Sequence, residues 1–151
     1  FQFMPSTMKN YAIDYDKNSY IDLKNNNDAY ASAANYLNKI GWKDDQPCFY
    51  KINLSNEVPK KYLNVSAKKL HDKKKLNYFR KYIVNDNILD KRFDNLTAAL
   101  ITPDKDIIPN AENLSPAYIV FNNYEIILKW NRSLRFSLAV CTLKDKFKDE
   151  L

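Results

Sequence analysis

Asp14-Tyr15-Asp16-Lys17-Asn18-Ser19-Tyr20-Ile21-Asp22, then Asp28-Ala29-Tyr30-Ala31-Ser32-Ala33-Ala34-Asn35-Tyr36-Leu37, then Gly41-Trp42: an Asp/Asn-rich loop runs into an alanine-rich helix that stops at a glycine. The loop has the opening of an EF-hand. Asp14, Asp16 and Asn18 stand at its first, third and fifth positions, the Tyr20 carbonyl at the seventh and Asp22 at the ninth. Two positions depart from the pattern. Ser19 replaces the glycine of the sharp turn, and Asn25 stands where a bidentate Glu is expected, with Asp28 three residues on as a substitute carboxylate. The residue types allow two readings: a structural Ca2+ that clamps the loop and fixes the start of the next helix, or an Asx-turn-rich surface loop that binds nothing.

Working outward, Pro5 suits the first turn of a short helix over about Ser6 to Tyr11. Asp28 is expected to cap the second helix, with Tyr30, Ala33, Ala34 and Leu37 on its packed face and Gly41 as its left-handed stop. After Gly41 the texture changes. Cys48 to Leu54, Tyr62 to Val65 and Leu96 to Ile101 read as strands. Ala117 to Phe121 and Tyr124 to Trp130 read as a hairpin turned at Asn122-Asn123. Ser66 is expected to cap a helical turn running to His71, while Asn77 to Asp94 follows no period. Ser133 is expected to cap a final helix with Phe136, Val140, Leu143 and Phe147 on one face, flanked by Leu134, Leu138 and Cys141. Helix, helix, small antiparallel sheet, helix is an α+β order.

Length and composition fit this reading. The 151 residues are 45% apolar and 14% aromatic, enough for a buried core and too apolar for disorder. A single glycine leaves the turns to Asn, Asp and Pro. The net charge of +6 gathers at Lys60-Lys61 and between Lys68 and Lys75, and reads as a solvated face. No RNA-binding aromatic signature or Cys/His finger is present, so no nucleic-acid partner is expected. Cys48 and Cys141 lie in apolar runs and read as buried structural thiols, a disulfide remaining open in an exported protein.

The Phe3-Met4-Pro5-Ser6-Thr7 segment, the Asp-x-Asp-x-Asn loop, Ser32-Ala33-Ala34-Asn35-Tyr36 and Gly41-Trp42 occur in the order found in the membrane-bound lytic murein transglycosylase B family. Near the C-terminus, Asn123-Tyr124, Trp130-Asn131-Arg132-Ser133 and Phe136 resemble that family's last segments. The resemblance implies the C-terminal part of a lysozyme-like helical core with a small inserted β domain. It divides the chain into 1–45 (core and loop), 46–131 (β-rich) and 132–151 (a helix returning to the core).

The resemblance also implies a reaction on peptidoglycan glycan strands. One Glu protonates the glycosidic oxygen between N-acetylmuramic acid and N-acetylglucosamine, then takes the proton of the C6 hydroxyl, leaving a 1,6-anhydro sugar. In family members that Glu precedes the segment at Phe1. The chain is therefore expected to lack it, to be inactive alone, and to partner a missing N-terminal half. The alternative is a non-catalytic glycan-binding module of the cell wall. Gln2, Asn35, Tyr36, Trp130, Asn131 and Phe136 are carried over as the sugar-binding residues, with Phe136 standing where a Tyr would offer a hydroxyl. The implied location is the bacterial periplasm or the outer membrane, with an export signal upstream.

Overall fold

The computed structural model describes residues 3–103 and 114–150, and Gln2 lies outside them. The chain divides into two compact units, Phe1–Lys43 and Asp44–Leu151.

The first unit holds α1 (Pro5–Tyr11) and α2 (Asn26–Lys39), with the acidic loop between them. Pro5 opens α1 at the position where a missing N–H costs no hydrogen bond. Gly41 ends α2 at φ 104°, and the Trp42 amide reaches back to the Leu37 carbonyl. Two expectations for α2 are corrected. Its cap is Asn25, whose side chain accepts the Asn27 amide, and Asp28 lies inside the first turn. Its packed face is Asp28, Ala29 and Ser32, whereas Tyr30 is 66% exposed. The helix turns polar groups inward because the loop's backbone needs partners that an apolar face cannot supply.

The second unit is built on strands β1 (Phe49–Ile52), β2 (Leu63–Asn64), β3 (Lys74–Lys75), β4 (Thr97–Ile101) and β5 (Ala117–Val120). The order is β1-β5-β4-β2, with β3 also paired to β4. The sheet is mixed rather than antiparallel, since β2 runs parallel to β4 with Leu63 opposite Leu100. Residues 76–93 form one short helix, α3 (Leu76–Phe79), and 3-10 turns at Arg80–Tyr82, Asp86–Ile88 and Lys91–Phe93, which explains why no period runs through them. Ile52, Leu76, Phe79, Leu100, Ile119 and Phe121 centre the core.

The expected strand over Tyr124 to Trp130 is the helix α4 (Asn122–Trp130), and no hairpin turns at Asn122-Asn123. The two isoleucines favour a strand locally. Their burial follows the other period, however: Asn123, Tyr124, Ile126, Ile127 and Leu128 are buried while Asn122 and Lys129 face out. Tertiary burial overrides propensity here.

α5 (Leu134–Glu150) starts where expected, with the Ser133 hydroxyl accepting the Phe136 amide. Its packed face is shifted from the expected centre to the flanking residues. Leu134, Ser137 and Cys141 are buried, while Phe136, Leu143 and Phe147 are 41%, 54% and 57% exposed. Cys48 and Cys141 are joined in a disulfide, not held as free thiols. Within this unit α5 packs on α4 and is tied to Cys48, whereas the sequence reading gives 132–151 a part of its own. No described helix is long and apolar enough to cross a membrane.

Candidate functional site

Asp28 organises the acidic loop. Its side chain is fully buried, and its two carboxylate oxygens accept the amides of Tyr15 and Asp22, both at 2.9 Å. Those hydrogen bonds, that from Asp22 foremost and Tyr15 next, hold its carboxyl below the ordinary value of 3.8 against the opposing effect of burial. Ser32 and Asn35 secure the other strand of the loop: Ser32 Oγ accepts the Ile13 amide at 3.0 Å and Asn35 Nδ2 donates to the Tyr11 carbonyl at 2.8 Å.

Asp14 bends the loop around itself. Its oxygens accept the amides of Asn18 and Ser19, while Asn18 Oδ1 accepts the Tyr20 amide. Lys17 and Ser19 take φ of 59° and 71°. Each left-handed non-glycine residue costs on the order of 1 kcal/mol. Ser19 therefore makes, at the sixth position, the turn that the EF-hand pattern assigns to glycine.

Among the described residues, the carboxylates of Asp14, Asp16 and Asp28 can bring one oxygen each to within 4.8 Å of one another. A carboxylate has about four lone-pair sites, so an oxygen that accepts an amide can still face a cation. The donor set is all oxygen and trianionic, and it fits a hard divalent ion. Asp22 stands outside this group; one of its oxygens accepts the Lys24 amide. Asn25 is occupied as the cap of α2.

Of the residues expected at the sugar, Asn35 and Tyr36 lie on the first unit. The Tyr36 ring meets Tyr11 edge to face at 5.0 Å and Phe3 at 6.0 Å. Burial, followed by the neighbouring Tyr11, raises the Tyr36 hydroxyl above the usual tyrosine value of 10.0. Asn35 lends its amide nitrogen to the backbone, as described above.

Trp130, Asn131 and Phe136 lie on the second unit, around the bend between α4 and α5. Tyr124 fixes that bend. Its ring is fully buried, and its hydroxyl donates to the Leu134 carbonyl at 2.8 Å. The Ser133 amide closes the bend on the Asn131 carbonyl at 2.7 Å. Asn131 is left exposed at the rim with Trp130 half-buried beside it, an amide next to a flat ring. Such a pair suits a pyranose, which offers hydroxyls at its edge and C–H groups on its face.

Sequence reading passes over a further feature. Lys68, Lys69, Lys129 and Arg132 border a hollow of about 320 Å³ that reaches Leu70 and Leu128. The lysine-rich stretch signals charge, but only the fold brings the first two residues to α4. No helical turn forms after Ser66; its hydroxyl accepts the Lys68 amide instead.

A structure of SltB3 from Pseudomonas aeruginosa in complex with NAG-NAM-pentapeptide is 30% identical, with a TM-score of 0.79 over 97% of this chain and 37% of that one. Slt35 from Escherichia coli, solved in complex with calcium, shares the fold at 22% identity and a TM-score of 0.66, over 94% of this chain and 41% of that one. The membrane-bound lytic murein transglycosylase B of Escherichia coli strain K12 is 48% identical over 46 residues, 30% of this chain and 13% of that protein. The chain thus spans well under half of these relatives. Residues 1–145 match the family model described as the Transglycosylase SLT domain, and the chain belongs to that family.

Proposed function

We propose that the chain is the C-terminal portion of a peptidoglycan lytic transglycosylase of the bacterial cell envelope, cleaving the bond between N-acetylmuramic acid and N-acetylglucosamine with formation of a 1,6-anhydro sugar. The observation that carries this is the likeness to SltB3, a relative held with NAG-NAM-pentapeptide, over 97% of the chain. In this reading Gln2, Asn35, Tyr36, Trp130, Asn131 and Phe136 contact the glycan. The rings lie on sugar faces and the amides pair with hydroxyl and acetamido groups. The Cys48–Cys141 disulfide supports an oxidising compartment such as the periplasm.

The reaction needs one carboxyl that gives a proton to the leaving oxygen and then accepts the C6 hydroxyl proton as that oxygen closes on C1. A general acid needs a raised pKa. Asp28 and Asp90 are both shifted downward, Asp28 by backbone amides and Asp90 by Arg92. Glu125 is committed to Lys73 at 2.9 Å. In this reading the acid comes from the length of the relatives that the chain does not span. The acidic loop binds calcium through Asp14, Asp16 and Asp28, with Asn18, the Tyr20 carbonyl and Asp22 completing the shell. The ion steadies the loop and the start of α2.

The test is digestion of purified peptidoglycan by the full-length protein, with mass analysis of the soluble products. Products ending in 1,6-anhydro sugar support the reading. Products with reducing ends contradict it. Binding to the polymer with no release indicates a wall-binding module instead.

A further inference from the structure

We propose that the hollow between the 66–70 turn and α4 is a binding site for a short acidic peptide, the carboxylate-bearing stem carried by the glycan. The inference rests on the peptidoglycan reading and deepens it. Three observations meet here.

The first is charge. Lys68 and Lys69 approach from the turn, and Lys129 and Arg132 from the end of α4. None of the four is ion-paired to a described residue. The single carboxylate at the site, Glu125, is neutralised by Lys73, which donates to both of its oxygens at 3.1 and 2.9 Å. The site therefore keeps its positive charge. Charge-assisted bonds to carboxylates are about twice as strong as neutral ones, and Arg adds a bidentate geometry.

The second is shape. At about 320 Å³ the hollow is near the lower end of ligand sites, which span roughly 300–1,000 Å³. Leu70 and Leu128, 2% and 4% exposed, give it an apolar base. That base matches small aliphatic side chains between carboxylates. It does not match a phosphodiester chain, which offers no apolar group at that spacing.

The third is rigidity. Asn64 is fully buried and clamps the turn. Its Oδ1 accepts the His71 amide at 2.8 Å, and its Nδ2 donates to the carbonyls of Tyr62, His71 and Leu100. Asp72, next in the chain, is left-handed at φ 53°. The turn that carries Lys68 and Lys69 is thus held on one side by the Asn64 clamp and followed by a left-handed residue just before Lys73. Strain of this kind is often found at ligand clamps.

The experiment is calorimetric titration of the chain with three probes: the free stem pentapeptide, the same peptide with its carboxylates amidated, and peptide-free glycan strands. The expected result is that the free-acid peptide binds and amidation weakens it at least tenfold. Lys68→Ala with Lys129→Ala should also weaken it at least tenfold without moving the unfolding midpoint. Lys60→Ala with Lys61→Ala removes the same charge outside the hollow and should leave affinity unchanged. Equal binding of acid and amide, or equal loss in both double variants, overturns the proposal. So does tighter binding to a short DNA duplex or to anionic phosphatidylglycerol vesicles than to the peptide. Failure here with glycan binding intact leaves the transglycosylase reading standing; loss of glycan binding alone strikes that reading and not this site.

Discussion

Cys48 and Cys141 are bonded to each other across 93 residues of sequence, which ties the residue before β1 to the middle of α5. Cys141 is fully buried, and among the described residues of that helix Leu134 is the one other buried apolar side chain. The crosslink is thus a principal anchor of α5. A loop of about 100 residues is expected to contribute about 4–5 kcal/mol by restricting the unfolded chain. Cys48→Ala with Cys141→Ala, or reduction by dithiothreitol, should lower the urea midpoint by a corresponding amount. Hydrogen exchange should then quicken first in α5. An unchanged midpoint after complete reduction contradicts this.

Asp28 makes the first unit sensitive to acid. Its folded pKa lies below the ordinary 3.8, so its contribution to stability is complete above that value. The contribution is lost as pH falls below 3.8 towards the folded value, where protonation removes the acceptors of the Tyr15 and Asp22 amides. Asp28→Asn should lower the thermal midpoint at neutral pH, because its NH2 would face an amide donor. It should also remove this acid-dependent component. A variant as stable as the parent, with the same acid profile, sinks the assignment.

Calcium should stabilise the first unit. With an affinity of about 10⁻⁴–10⁻³ M, 10 mM calcium is expected to add about 1–3 kcal/mol. Asp16→Asn should abolish most of that gain while leaving the metal-free stability nearly unchanged, whereas Asp14→Asn should also lower the metal-free stability, because its NH2 would face the amide of Asn18 or Ser19. A thermal midpoint indifferent to calcium contradicts the site.

Ser137 is buried in α5 with its hydroxyl unpartnered among the described residues. Leaving a buried hydroxyl unsatisfied costs about 1–3 kcal/mol. Ser137→Ala should therefore raise stability by about 1 kcal/mol, the lost packing of one oxygen offsetting part of the gain. Chemical denaturation of the two proteins decides it, and a destabilised alanine variant would reveal a partner for the hydroxyl.

The parts legible in sequence were those whose signal is local. Pro5, Gly41 and Ser133 mark helix ends through their own backbone or hydroxyl chemistry. Four of the five strands lie within segments read as strands from the sequence, and the acidic loop follows from its ligand spacing. What stayed hidden depends on partners distant in the chain. Ile126-Ile127 looks like strand until Tyr124 and Leu128 are seen to share its buried side. The outward turn of Phe136, Leu143 and Phe147 is set by Cys48, far away in sequence. Asp28 looked like a cap because its two amide partners precede it by 13 and 6 residues. Trp130 and Asn131 are candidates through family resemblance alone; nothing in their spacing announces a sugar.

The central claim is that this chain grips the glycan of peptidoglycan. The most direct measurement is titration of the isotope-labelled protein with the NAG-NAM disaccharide, followed by NMR. The account predicts saturable shifts in the side-chain amides of Asn35 and Asn131 and in the Trp130 indole N–H, with affinity reduced about tenfold by Asn131→Ala. Shifts absent at these three groups at saturating sugar, or Asn131→Ala binding as tightly as the parent, would contradict it.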